Sequence, residues 1–126
     1  MLLPDVASLT SLIEVVRIAA PTAVYATGAV VGEDLAIWDE EHSRQVLSLI
    51  AEVPAGELHR CFAPAYGIRA HGAANLLFEI AFCFRCHGAL LLGLGVPSGL
   101  RGIQGFDADS PAARALLDRF RACESG

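Results

Sequence analysis

Between Asn75 and Arg85 the hydrophobic side chains fall on every second residue. Leu76, Phe78, Ile80, Phe82 and Phe84 share one parity, while Leu77, Glu79, Ala81, Cys83 and Arg85 share the other. Strand side chains alternate between faces, so this segment is expected to be a strand with one strongly apolar face and one mixed face. Tyr66 to His71 repeats the pattern, with Tyr66, Ile68 and Ala70 on one parity and Arg69 and His71 on the other. Gly72-Ala73-Ala74 between them reads as a hairpin loop. A three-residue loop would pair Ile68 with Phe78 and Tyr66 with Ile80, which places both apolar sets on one buried face.

Elsewhere the spacing is helical. From Val6 to Ile18, Leu9, Leu12, Ile13 and Val16 recur near a helical period, which predicts a short helix ended by Pro21. Thr22 to Thr27 reads as a strand closed by Gly28, and Leu35 to Trp38 as a second short strand. Asp39 is placed to cap a helix with Glu40 and Glu41 in its positive first turn. Val46, Leu47, Leu49, Ile50 and Val53 give that helix an apolar face, and Pro54-Ala55-Gly56 stops it. Ala89 to Leu94 is another apolar strand, and Val96 to Gly105 reads as a Gly-rich loop. Ser110 as N-cap and Pro111 at the first helical position open a last helix, whose inner face is Ala113, Leu116, Leu117 and Phe120. The expected fold is a single α+β domain over residues 1–126. It has an antiparallel sheet, a central hairpin and two to three helices packed on one face.

Composition narrows the chemistry. At 126 residues, 54% hydrophobic and 18% charged, the chain can bury a core without disulfides or metal. All nine basic residues are Arg, so a Schiff-base lysine and a P-loop lysine are excluded. A net charge of −5 argues against binding a nucleic-acid backbone. The uncharged runs Ile18–Gly32 and Cys86–Leu100 are 15 residues each, shorter than the ~20 a membrane helix needs, and both carry Pro and Gly. Met1-Leu2-Leu3-Pro4-Asp5 lacks the basic start of a secretory signal, so the expectation is a cytoplasmic protein with no membrane partner. The high apolar content leaves room for a homodimer or another protein partner.

The candidate chemistry lies in His59-Arg60-Cys61 and Cys83-Phe84-Arg85-Cys86-His87. Cys61 and Cys83 share a parity, so a continued strand would put them on one face of adjacent strands. A Cys-x-x-Cys pair can place two thiolates on one metal, with Cys61 third and His59 or His87 fourth, and zinc is the metal that fits such a set. Two other readings stand beside it. The cysteines can serve as small core residues of an interaction or immunity-type module. Alternatively, Cys83 and Cys86 can cycle as a dithiol whose thiols are acidified by Arg85 and His87. The string Cys-x-x-Cys-His also matches haem attachment. That reading is set aside because haem attachment expects export and the chain has only one Met.

The stretch Cys61-Phe62-Ala63-Pro64-Ala65-Tyr66-Gly67, followed by Phe82-Cys83-Phe84-Arg85-Cys86, resembles a pattern in small bacterial proteins. In them, Cys-aromatic-x-Pro-Arg-His-Gly precedes a hydrophobic strand ending in Cys-aromatic-x-Cys. The resemblance covers about residues 58–90, and more loosely Phe106-Asp107 and the last helix. It implies a deliberate site of three cysteines. Ala65 and Tyr66 stand where those proteins often carry Arg and His, so it implies no ligand or base at position 66.

Glu79 is the candidate general base or ligand-orienting carboxylate, with Arg69 and Arg85 on its face. The plainer expectation for it is an Arg–Glu pair on the solvent side of the sheet. His42 and His71 are expected to be solvated, and Asp107 and Asp109 to serve the last helix's N-terminus. No nucleophile elbow, dinucleotide fingerprint or HExxH is present.

Overall fold

A computed structural model describes residues 1–60 and 62–124. Six strands form one antiparallel sheet: β1 (Leu12–Ile18), β2 (Gly32–Trp38), β3 (Tyr66–His71), β4 (Leu76–Cys83), β5 (Gly88–Leu92) and β6 (Gly102–Gly105). Their spatial order is β2-β1-β3-β4-β5-β6. Three α-helices accompany them: α1 (Ala23–Thr27), α2 (Glu40–Glu52) and α3 (Pro111–Glu124). The α+β class and the antiparallel sheet built around the β3–β4 hairpin are as the sequence leads one to expect.

The two long helices cover one face of the sheet. Ile13, Val15, Ile68, Phe78, Ile80, Phe82 and Leu91 meet Val46, Ile50, Leu116 and Phe120 there, all at most 1% exposed. Each such side chain contributes roughly 1.5–3 kcal/mol of burial free energy. Both helices start as their caps direct. The Asp39 carboxylate accepts from His42 N at 2.8 Å, and the Ser110 hydroxyl accepts from Ala113 N at 3.3 Å. Phe120 sits among Trp38, Tyr66, Phe82 and Phe84, with ring centroids 5.1–6.1 Å away.

The opposite face has a smaller apolar cluster of Val16, Ile18, Val24, Val30, Ala81 and Leu90. It is roofed by α1 and the segment after it. Thr22–Thr27, expected as a strand, is instead one helical turn, ended by Gly28 in the left-handed region (φ 64°).

The segment expected to be a helix over Val6–Ile18 is divided differently. Asp5–Leu9 is a 3-10 turn and Leu12–Ile18 is β1. β1 lies between β2 and β3, so Ile13 and Val15 face the helices while Val16 and Ile18 face the second cluster. Burial on both faces erases the two-residue alternation and leaves a spacing that mimics a helix. Four of its seven residues are β-branched, which favours the strand.

The hairpin register is Tyr66↔Phe82, Ile68↔Ile80 and Ala70↔Phe78, two residues along from the expected pairing. An irregularity at Ala70/His71 and a four-residue loop, closed by Gly72 N donating to Asn75 O, account for the shift. A shift of two preserves which face each side chain occupies. Val96–Gly105 is not all loop: Ser98–Leu100 is a 3-10 turn and Gly102–Gly105 is the edge strand β6. Among the described residues, no helix is long and apolar enough to cross a membrane.

Candidate cysteine site

Cys83, the last residue of β4, pairs directly with Gly88, the first of β5. Phe84, Arg85, Cys86 and His87 form the turn between them. His87 takes a left-handed conformation at φ 54°, a region that histidine enters more readily than most side chains. The turn brings the sulfurs of Cys83 and Cys86 to disulfide-bonding distance, with Cα atoms 5.5 Å apart. Both residues are 3% exposed.

Two neighbouring segments hold the turn in place. His59 N donates to Cys86 O at 2.8 Å, and Phe106 N donates to His87 O at 2.9 Å. Ala108 N donates to His87 Nδ1 at 3.1 Å, so Nδ1 is the acceptor and the neutral ring carries its proton on Nε2. The His59 and His87 rings stack with centroids 4.3 Å apart. Leu58 and Phe62 both pack against Gly88. A Cβ at Gly88 would lie 2.5 Å from Leu58 Cδ1 and 3.3 Å from Phe62 Cδ1, so a larger residue here would make the Leu58 side chain move. Arg60, Ala63, Cys83, Arg85 and Cys86 line one opening of about 340 Å³.

Of the five ligand candidates, Cys83 and Cys86 are brought together, and His59 and His87 stack beside their turn. Cys61 lies outside the described residues, so its parity match with Cys83 does too. Its neighbours Arg60 and Phe62 are both at the turn. Among the described residues, no group of three His, Cys, Asp or Glu side chains converges closely enough to hold a metal. Cys123, the remaining cysteine, is a free thiol on α3 that donates to Arg119 O at 3.3 Å, and burial raises its pKa.

Glu79 departs from the expected solvent-side pair. It is 4% exposed, its Oε1 accepts from Val30 N at 3.2 Å, and Arg69 Nε lies 3.8 Å away. The cause is the segment after α1, which covers this part of the mixed face. Burial raises the Glu79 pKa, against the opposing pull of the Val30 hydrogen bond and the Arg69 charge. Glu79 shares a face with Cys83, but it lies four residue steps back along the strand, ~13 Å away, so the carboxylate is not part of the cysteine site.

The remaining candidates have structural partners. His71 is not left in solvent, because its Nε2 hydrogen-bonds the Glu14 carboxylate. His42 is exposed and stacks on Trp38. The Asp107 carboxylate accepts from Asp109 N at 3.0 Å just ahead of α3, as expected for a helix-entry residue. Sequence reading missed the contacts of Leu58, His59 and Phe62 with the turn and Gly88. Its one available signal was Gly88 directly after the Cys-x-x-Cys-His string. No protein family, curated protein or solved structure matches the chain.

Proposed function

We propose that Cys61, Cys83 and Cys86 form a three-thiolate site for a thiophilic metal ion, zinc. One observation carries this reading: the segment flanking Cys61 is pinned to the turn that carries Cys83 and Cys86, through His59 N to Cys86 O and through Phe62 against Gly88. A β-hairpin turn with cysteines three residues apart suits two zinc–sulfur bonds of ~2.3 Å, and a third thiolate from Cys61 fills three of the four positions of tetrahedral zinc, leaving the fourth to His59 or His87. Three thiolates on Zn²⁺ leave a net charge of −1. Arg60 and Arg85, which line the same opening, offset it.

A second reading rests on the sulfur–sulfur approach itself. In thiol–disulfide exchange, the Cys83 and Cys86 thiols transfer two electrons to a disulfide partner. The partner leaves as two thiols and takes up the two protons, and a Cys83–Cys86 bond forms.

Elemental analysis and a thiol count on protein purified under reducing conditions test both. The metal reading expects about one zinc per chain, lost in Cys61→Ser and Cys86→Ser and retained in Cys123→Ser. Metal-free protein that gains one reducible bond under mild oxidant overturns it in favour of exchange. Metal-free protein with inert thiols overturns both. The cysteines then only pack, as in an interaction module, and Cys86→Ser costs ~1–3 kcal/mol for a buried hydroxyl.

A further inference from the structure

A second, larger cavity of about 600 Å³ opens between α3 and the β4–β5 turn, a size within the range of small-molecule sites. Its apolar lining includes Tyr66, Phe84 and Leu117. Arg85 from the turn and Arg114 and Arg121 from α3 also line it. Arg114 and Arg121 are two helical turns apart on one face, so their Cα atoms are ~10 Å apart along the axis.

Asp109 and Asp118 lie on the same rim. Even so, none of the three guanidinium groups is among the ion pairs of the described residues, which involve only Arg17, Arg44, Arg69 and His71 as cations. The chain carries net charge −5 and nine Arg. Three of the nine meet at one cavity, and none of the three is ion-paired to a carboxylate among the described residues.

From this we infer that the cavity binds a small organic anion: one carboxylate or phosphate group on an apolar body. The guanidinium forks hold the acidic group by charge-assisted hydrogen bonds, and the aromatic and leucine side chains take the body. The cavity shares Cys83 and Arg85 with the opening at the cysteine site, but the inference rests on Arg114 and Arg121, which belong to α3 and do not line that opening.

The test uses 1-anilinonaphthalene-8-sulfonate, a fluorescent sulfonate on an aromatic body, with the protein as purified. Saturable binding at one site is expected. It should weaken by roughly tenfold in the Arg114→Gln/Arg121→Gln double variant, and also in Arg85→Gln, read alongside its zinc content because Arg85 borders the cysteine site too. Arg119→Gln, on the same helix outside the cavity, should bind like the parent. Octanoate and phenyl phosphate are then used as competitors, and displacement by either supports the inference and identifies the acidic group preferred. Displacement by neither, equal displacement by octanol, or unchanged binding in all the cavity variants overturns it. The zinc content of the same preparations reports separately on the cysteine site.

Discussion

Arg69 on β3 stands directly across from Glu79 on β4, and Glu14 on β1 stands directly across from Arg69 on its other side. The guanidinium also reaches Asp34 Oδ1 at 3.4 Å and donates from Nε to Val30 O at 3.2 Å. Val30 in turn donates its N–H to Glu79. The row therefore stitches the segment after α1 onto the sheet through both polar groups of one peptide residue. The shared parity of Arg69 and Glu79 was legible in the sequence. The cover over them was not.

Burial decides the sign at Glu79. Its folded pKa is raised above the ordinary 4.5, so the folded state holds the proton more tightly than the unfolded chain. The stabilisation is full below the unfolded pKa and is lost as pH rises through the folded one. Glu79→Gln is permanently uncharged and keeps an oxygen to accept from Val30 N, while Arg69 keeps Glu14 and Asp34. The variant should match the parent below about pH 4.5 and exceed it in stability at pH 7. Urea denaturation at stepped pH measures this. A variant less stable than the parent at pH 7 would mean that the Arg69 pair outweighs burial.

Gly88→Ala tests whether the segment of Leu58 and Phe62 holds the cysteine turn. The added methyl would stand 2.5 Å from Leu58 Cδ1 and 3.1 Å from Ile103 Cγ2. Overpacking of this kind costs about 1–3 kcal/mol, and the low end is expected because Leu58 is 40% exposed and can swing aside. Leu58→Ala should relieve part of the penalty, giving a favourable coupling in a double-mutant cycle by chemical denaturation. Purely additive single effects would show that the two residues do not meet in solution.

The parts of the fold that the sequence revealed are those where one face alone is buried or a cap is spelled out. Asp39 and Ser110 announce their helices locally, and Phe78, Ile80 and Phe82 announce a face. β1 misleads because both of its faces are covered. β6 misleads because an edge strand of two glycines, Ile103 and Gln104 has little pattern to show. The candidate site divides the same way. Cys83 and Cys86 are neighbours by spacing alone, whereas the packing of Leu58 and Phe62 on Gly88 is a long-range fact that no local period encodes. The three arginines at the second cavity come from two elements whose docking the sequence does not state.

Tyr66 offers a readout of how α3 docks on the sheet. Its ring stacks on Phe120 with centroids 5.1 Å apart, and its hydroxyl donates to the Glu124 carboxylate near the end of α3. Burial, reinforced by the hydrogen bond and the charge of Glu124, pushes the phenol up to about 12 from an ordinary value of 10. A raised folded pKa means the folded state retains the proton. The contribution to stability is therefore full below pH 10 and lost as pH rises through about 12. Ultraviolet titration of the folded protein should show one of its two tyrosines ionising near pH 12. Tyr66→Phe should remove that step together with the alkaline loss of stability. At neutral pH it should cost only about 1 kcal/mol, the net worth of one hydrogen bond, because Glu124 keeps Arg17 at 3.1 Å. If α3 were frayed from the sheet at its end, Tyr66 would instead ionise near pH 10, and Tyr66→Phe would leave the stability unchanged.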